Sequence, residues 1–91
     1  MGEPKRYEVE ISADARDFLR SLDRPNRVRI SQRINALATD PRPSGHKKLK
    51  GQSEDIYRIR SGNYRVLYVI RDDVLKVIVI KVDDRKDAYR P

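Results

Sequence analysis

A chain of 91 residues has material for one hydrophobic core, so a single domain over residues 1–91 is expected. Hydrophobic residues make up 37% and charged residues 38%, which suits a thin two-layer core; the absence of cysteine excludes disulfides and thiolate metal sites and fits a reducing cytoplasm. The formal charge is +7, from 21 Lys and Arg against 14 Asp and Glu, which makes a polyanion the natural partner because neutralised phosphates release condensed counterions.

The N-terminal run Met1-Gly2-Glu3-Pro4-Lys5-Arg6 has no apolar core after its charges, so no signal peptide is expected. No stretch approaches the roughly 20 apolar residues of a membrane helix, and a cytoplasmic protein without a membrane partner is expected. From Arg6 to Ser12 the chain alternates, with Tyr7, Val9 and Ile11 on one side and Glu8 and Glu10 on the other, as a half-buried strand does. Ser12 is placed to cap a helix whose apolar stripe is Ala15, Phe18, Leu19 and Leu22, with Asp14 favourably set in the first turn. Asp23-Arg24-Pro25 breaks that helix and starts another, since proline suits a helix's first turn. The second helix extends to about Ala38 on the spacing of Ile30, Ile34, Leu37 and Ala38, and Pro41 and Pro43 end it.

After His46 the apolar period changes from helical to alternating. A short strand over Lys47–Leu49 is followed by strands over Ile56–Arg60, Tyr64–Arg71 and Val74–Val82, with turns at Ser61-Gly62-Asn63 and Asp72-Asp73. The expected fold is α+β in the order β-α-α-β-β-β, an antiparallel sheet with a helix pair packed on one face. The uncovered face is where function is expected.

Alternation assigns residues to that face. If the apolar set of each strand faces the helices, Arg58, Arg60 and Arg65 share the open side on neighbouring strands about 5 Å apart. Guanidiniums so close repel unless an anion sits among them; the plain alternative is a solvated strand face. Past the last strand come Arg85 and Tyr89, within reach of the sheet edge. A phenol pKa of about 10 falls beside positive charge, and a phenolate can take the proton of a ribose 2′-hydroxyl.

Three runs carry a family resemblance: Lys47-Lys48-Leu49-Lys50-Gly51, then Ile56-Tyr57-Arg58-Ile59-Arg60, then Gly62-Asn63-Tyr64-Arg65-Val66-Leu67-Tyr68. With the ending Val82-Asp83-Asp84-Arg85-Lys86-Asp87-Ala88-Tyr89-Arg90, in which an arginine precedes a tyrosine by four residues, they resemble the RelE/ParE superfamily of bacterial and archaeal toxins, and RelE most. The resemblance implies a RelE-like fold and a toxin of a type II toxin–antitoxin system that cuts messenger RNA in the ribosome. In that chemistry the 2′-hydroxyl attacks its own 3′-phosphate and leaves a cyclic phosphate and a free 5′-hydroxyl. It further implies that Arg58 and Arg60, where the best-known members have lysines, hold the phosphate and stabilise its transition state. Arg65 then grips the scissile phosphate, Arg85 sits near the leaving 5′-oxygen, and Tyr89 is the base. A RelB-like cognate antitoxin, the ribosome and messenger RNA are the implied partners.

Two departures stand out. Where the family's closing motif often has Gly-His before the arginine, this chain has Asp83-Asp84, and a carboxylate there can pair with Arg85 or another arginine. Arginine in place of lysine at 58 and 60 keeps charge and removes any titrating amine, so electrostatic stabilisation is expected there rather than proton transfer. The sole histidine, His46, lies in a Pro/Gly turn and is expected at the surface or on RNA. Lys47, Lys48 and Lys50 are candidates for an RNA footprint, against the plain role of guarding a sheet edge. With one histidine, no cysteine and scattered carboxylates, neither a metal site nor a cofactor is expected. The other functional readings are a ParE-like toxin acting on DNA gyrase and a non-catalytic nucleic-acid-binding module.

Overall fold

A computed structural model describes residues 5–85. The element order is β1 (Glu8–Ile11), α1 (Ala13–Arg20), α2 (Arg24–Ala36), β2 (Lys47–Lys48), β3 (Ile56–Ser61), β4 (Tyr64–Arg71) and β5 (Lys76–Asp84). Ser12 starts α1 as expected: its Oγ accepts from the Ala15 amide at 3.1 Å and donates to the Ile80 carbonyl at 3.0 Å, so the cap also fastens the helix to the sheet. Asp23 starts α2 with Pro25 in the first turn, and its carboxylate accepts from Asn26 rather than from the helix backbone. No helix among the described residues is long and apolar enough to cross a membrane.

The strands form one sheet in the order β1-β5-β4-β3-β2. Neighbours among β2 to β5 are antiparallel, but β1 pairs with β5 in parallel, Val9 against Val77 and Ile11 against Val79, so the sheet is mixed. The α+β architecture is as the alternation implies. The parallel pair follows from the path of α1 and α2, which carry the chain across one face before the hairpins begin.

Both helices lie on that face. Ala15, Leu19, Ile30, Ile34 and Leu37 pack with Ile59, Val66, Tyr68, Val77, Val79 and Val82 in one buried cluster, with Tyr57 and Tyr64 at its margin. Burial of such side chains is worth about 1.5–3 kcal/mol each and dominates the fold's stability. Tyr68 is fully buried, its hydroxyl donating to the Pro41 carbonyl at 2.7 Å; burial pushes its pKa to about 12, so it stays a neutral donor that ties the loop after α2 to the sheet.

The two hairpins differ. Gly62 takes a φ of 60° in the two-residue turn between β3 and β4, the left-handed backbone that short hairpins need. The second turn is longer than expected: Leu75 adopts a φ of 52°, Val74 is 57% exposed, and β5 begins at Lys76 rather than Val74. β5 also runs past Val82 to include Asp83 and Asp84.

At the β4–β5 turn, Asp72 accepts from Arg42 through both carboxylate oxygens (3.3 and 2.9 Å) and from the Tyr7 hydroxyl at 2.6 Å. Arg42 also lies 5.5 Å over the Tyr57 ring. These bonds, Arg42's first, hold the Asp72 carboxyl down at about 2, below its usual value. A depressed carboxyl stabilises the fold above its unfolded pKa and loses that contribution as pH falls through the folded value, here between about pH 4 and 2. Urea midpoints measured across that window should therefore fall more steeply for the wild type than for Asp72→Asn. Equal slopes would show that the clamp contributes nothing in acid.

Candidate active site

On the face away from the helices the register arranges side chains in rows across β3, β4 and β5. Directly opposed residues share a face, so Arg60, Arg65 and Asp83 make one row and Arg58, Leu67 and Lys81 the next, with Lys47 of β2 beyond Arg58. The third row is apolar, Ile56, Val69 and Ile78, and ends on Glu10 of β1. Farther along, Lys76 pairs with Glu10 at 3.1 Å and Arg71 with Glu54 at 3.8 Å, so charge there is largely compensated. The excess of positive charge on this face sits at the end bounded by the Gly62 turn.

The structure brings Arg58, Arg60 and Arg65 together on the open face, as alternation implies. Arg58 is 9% exposed and Arg60 is exposed, so one guanidinium is sunk in the sheet surface and the other reaches into solvent. Arg65 makes a bidentate pair with Asp83, its Nε donating to Oδ1 at 2.6 Å and its Nη2 to Oδ2 at 3.1 Å. Lys81 Nζ stands 3.8 Å from the same carboxylate. The Asp83 carboxylate thus serves two cations, and its fork geometry on Arg65 is that with which arginine takes a phosphate.

Asp83 reaches this row through a β-bulge. Leu67 is opposite Lys81 and Tyr68 opposite Val79, leaving Ile80 as the extra residue of β5. A one-residue slip reverses which side chains face the helices. Before it, Val77 and Val79 are buried against the helices; after it, Val82 takes that side while Lys81 and Asp83 turn to the arginines. The signal was present in Lys76-Val77-Ile78-Val79-Ile80-Lys81-Val82: strict alternation would bury Lys81 beside Val77 and Val79, which a lysine resists.

The remaining candidates divide. The Arg85 amide donates to the Asn63 carbonyl at 2.7 Å, which anchors Arg85 beside the β3–β4 turn at the cationic end of the sheet. Tyr89 lies outside the described residues. Lys47 joins the arginine face beside Arg58, whereas Lys48 is opposite Tyr57 in register and pairs with Asp55 at 3.1 Å. Lys50 is exposed in the turn that follows. His46 lies on the other side of the sheet: its ring is 5.9 Å from that of Tyr57, and Nδ1 is 2.8 Å from the Pro43 carbonyl, which can only accept, so Nδ1 carries the proton. Half-buried there, His46 is a structural residue remote from the arginine rows. Among the described residues no three His, Cys, Asp or Glu side chains stand close enough to hold a metal ion. Tyr57, Tyr64 and Tyr68 all lie on the helix side, so the open face offers no tyrosine platform for bases among the described residues.

Comparison with known proteins agrees with this architecture. A family model, that of the ParE toxin of type II toxin–antitoxin systems (parDE), matches residues 9–89. The chain is 34% identical over 88 residues to a putative toxin RelE1 of Methanocaldococcus jannaschii, covering 93% of this chain and 97% of the relative. Its fold is similar to a chain of an archaeal RelE–RelB complex from Pyrococcus horikoshii OT3, with a TM-score of 0.78 at 28% identity over 88% of this chain and 96% of that one. It is also similar to a chain of the RelBE2 toxin–antitoxin complex from Mycobacterium tuberculosis, with a TM-score of 0.77 at 27% identity, covering 88% and 99%.

Proposed function

Because the chain belongs to the RelE/ParE toxin family of type II toxin–antitoxin systems, and to its RelE type, we propose that it is a ribosome-dependent endoribonuclease that cuts messenger RNA. The observation that carries this reading is the Arg60–Arg65 row with Arg58 beside it, on the sheet face turned away from the helices. Three guanidiniums within two rows form a site for a phosphate whose charge rises in the transition state, and donors aimed at such charge are worth about 2.7–4 kcal/mol each.

In the proposed reaction, Arg65 grips the scissile phosphate, and Arg58 and Arg60 stabilise its equatorial oxygens. The ribose 2′-hydroxyl gives its proton to the Tyr89 phenolate, which becomes the neutral phenol, and bonds to phosphorus. The bond to the 5′-oxygen breaks, leaving a 2′,3′-cyclic phosphate, and the departing oxygen, stabilised by Arg85, takes a proton from water. Arginine's pKa above about 12 suits it to holding charge rather than to giving up a proton. With the histidine on the far side of the sheet, the chain's own proton-transfer groups are few. Orientation of the message by the ribosome, an effect that reaches about 7–11 kcal/mol in well-ordered systems, then supplies much of the rate.

The cognate partner follows from the same family. The toxin relatives are found in complexes with RelB, which supports a RelB-like antitoxin for this chain. An acidic segment laid over the cationic rows would silence them.

The test compares purified protein on messenger RNA held in programmed ribosomes and on the same RNA free in solution. Cuts within the reading frame that need ribosomes are expected, with cyclic-phosphate 3′-ends and with DNA gyrase unaffected. Equal cleavage of free RNA would remove the ribosome from the proposal, and gyrase inhibition with intact messages would assign the chain the ParE activity instead.

A further inference from the structure

Among the described residues Asp83 is the one carboxylate in the two cationic rows. The row order is Arg60 on β3, Arg65 on β4 and Asp83 on β5. Arg65 therefore has a like charge on one side and an opposite charge on the other, and its guanidinium is engaged on the Asp83 side. The pair is largely withdrawn from solvent, with 25% of the Arg65 side chain and 13% of the Asp83 side chain exposed, so bulk water screens it far less than a surface ion pair. A carboxylate binding an arginine through Nε and Nη2 presents two oxygens much as the non-bridging oxygens of a phosphodiester do. Any phosphate that is to sit between Arg60 and Arg65 must draw Arg65 from this pair or share it.

We infer that Asp83 is a built-in competitor of the substrate phosphate, holding Arg65 toward β5 and away from Arg60, so that RNA is captured only where its phosphate is already ordered against the site. The inference rests on the reading of Arg65 as a phosphate-gripping residue. It makes Asp83 a positioning and specificity-determining residue rather than a catalytic one, since the carboxylate acts through Arg65 and touches no reacting atom. A flexible RNA in solution loses to the tethered carboxylate, which is always present at short range. A message fixed in the ribosome has already lost its freedom and wins the exchange. Discrimination against free RNA is thereby written into the toxin itself, in addition to what the ribosome supplies. Lys81, at 3.8 Å, keeps the released carboxylate paired when Arg65 turns to the phosphate.

The experiment measures binding rather than cleavage, with full-length protein and a short single-stranded RNA carrying 2′-deoxy sugars so that it cannot be cut. Fluorescence anisotropy across a salt series is recorded for the wild type, Asp83→Asn, Arg65→Ala and the double variant. Asp83→Asn is expected to bind several-fold tighter, with a salt dependence steeper by about 0.7, the value of one further phosphate neutralised on a single strand. That gain should vanish when Arg65 is alanine. Unchanged or weaker binding by Asp83→Asn overturns the inference, as does a gain that persists without Arg65, which would mark a general charge effect. If Arg65→Ala alone weakens binding while Asp83→Asn brings no gain, the reading of Arg65 stands and only the role of Asp83 falls. If Arg65→Ala leaves binding unchanged, the reading of Arg65 fails and takes the inference with it. Asparagine is nearly isosteric with aspartate; should its melting midpoint show misfolding, Asp83→Ser provides the same comparison.

Discussion

Arg65→Ala is expected to slow cleavage of ribosome-bound message by about 10²–10³-fold, the loss seen when one donor to a developing oxyanion is removed. Single-turnover rates on programmed ribosomes give the number without interference from product release. Arg65→Lys keeps the charge but not the planar fork, and should recover only part of the rate. The substitution also leaves the Asp83 carboxylate, 13% exposed, without its bidentate partner. Lys81 still stands 3.8 Å from that carboxylate, so the expected stability loss is below the roughly 1–3 kcal/mol of an unsatisfied buried acceptor, and each variant's melting midpoint is to be measured beside its rate. A folded Arg65→Ala protein that cleaves at the wild-type rate would remove Arg65 from the site. The same protein would also show that the Arg65–Asp83 pair is architectural alone.

The second large effect lies in the core. Ile34 is fully buried between α2 and the sheet, and truncation to alanine removes apolar surface and leaves a cavity that the neighbouring strands cannot fill. The expected cost is about 2–5 kcal/mol. Against a total of about 5–15 kcal/mol for a domain of this size, that is a large fraction. With about 4–8 °C of midpoint lost per kcal/mol, Ile34→Ala should melt at least about 8 °C lower than the wild type. Val28, 42% exposed on the same helix, is the control: its truncation should move the midpoint little. Similar shifts for the two would mean that the helix pair is not seated on the sheet as described.

The parts of this fold that sequence reveals are those governed by local periodicity. Tyr64 to Arg71 is an apolar run with arginines near both ends, set between two turns; its strand bounds coincide with the expected ones, and side chains along a strand point alternately to its two faces. From that alternation alone Arg65 falls opposite in face to Val66 and Tyr68, and with Arg58 and Arg60 across the turn it yields the arginine cluster. The pairing of β1 with β5 is another matter. Its partners are 68 residues apart, from Val9 to Val77, and no local pattern states whether two such strands run alike or opposed. Asp83 was visible as a departure able to pair with an arginine, but its partner was open between Arg85 and others. The bulge at Ile80 decides it for Arg65, and a bulge is a property of two strands together. The Tyr7–Asp72–Arg42 clamp left no trace either, because exposed polar contacts impose no periodicity on the sequence. His46, a candidate by residue type alone, is settled only by its place against Tyr57.

The strand order has a consequence for how the toxin is made. β5 is the last strand synthesised among those described, yet it lies between β4 and β1, and it supplies both Val77 and Val79 to the core and Asp83 to the arginine row. Until it emerges, β1 lacks its described neighbour in the sheet, α1 lacks the strand it packs on, and Arg65 lacks Asp83. Hairpin contacts between β3 and β4 close over short loops, whereas docking β1 must overcome a loop-closure entropy that grows with the logarithm of the intervening length. A nascent chain therefore carries its cationic strands before it has a fold to hold them. The arginine row and the core are completed together, when β5 enters between β1 and β4.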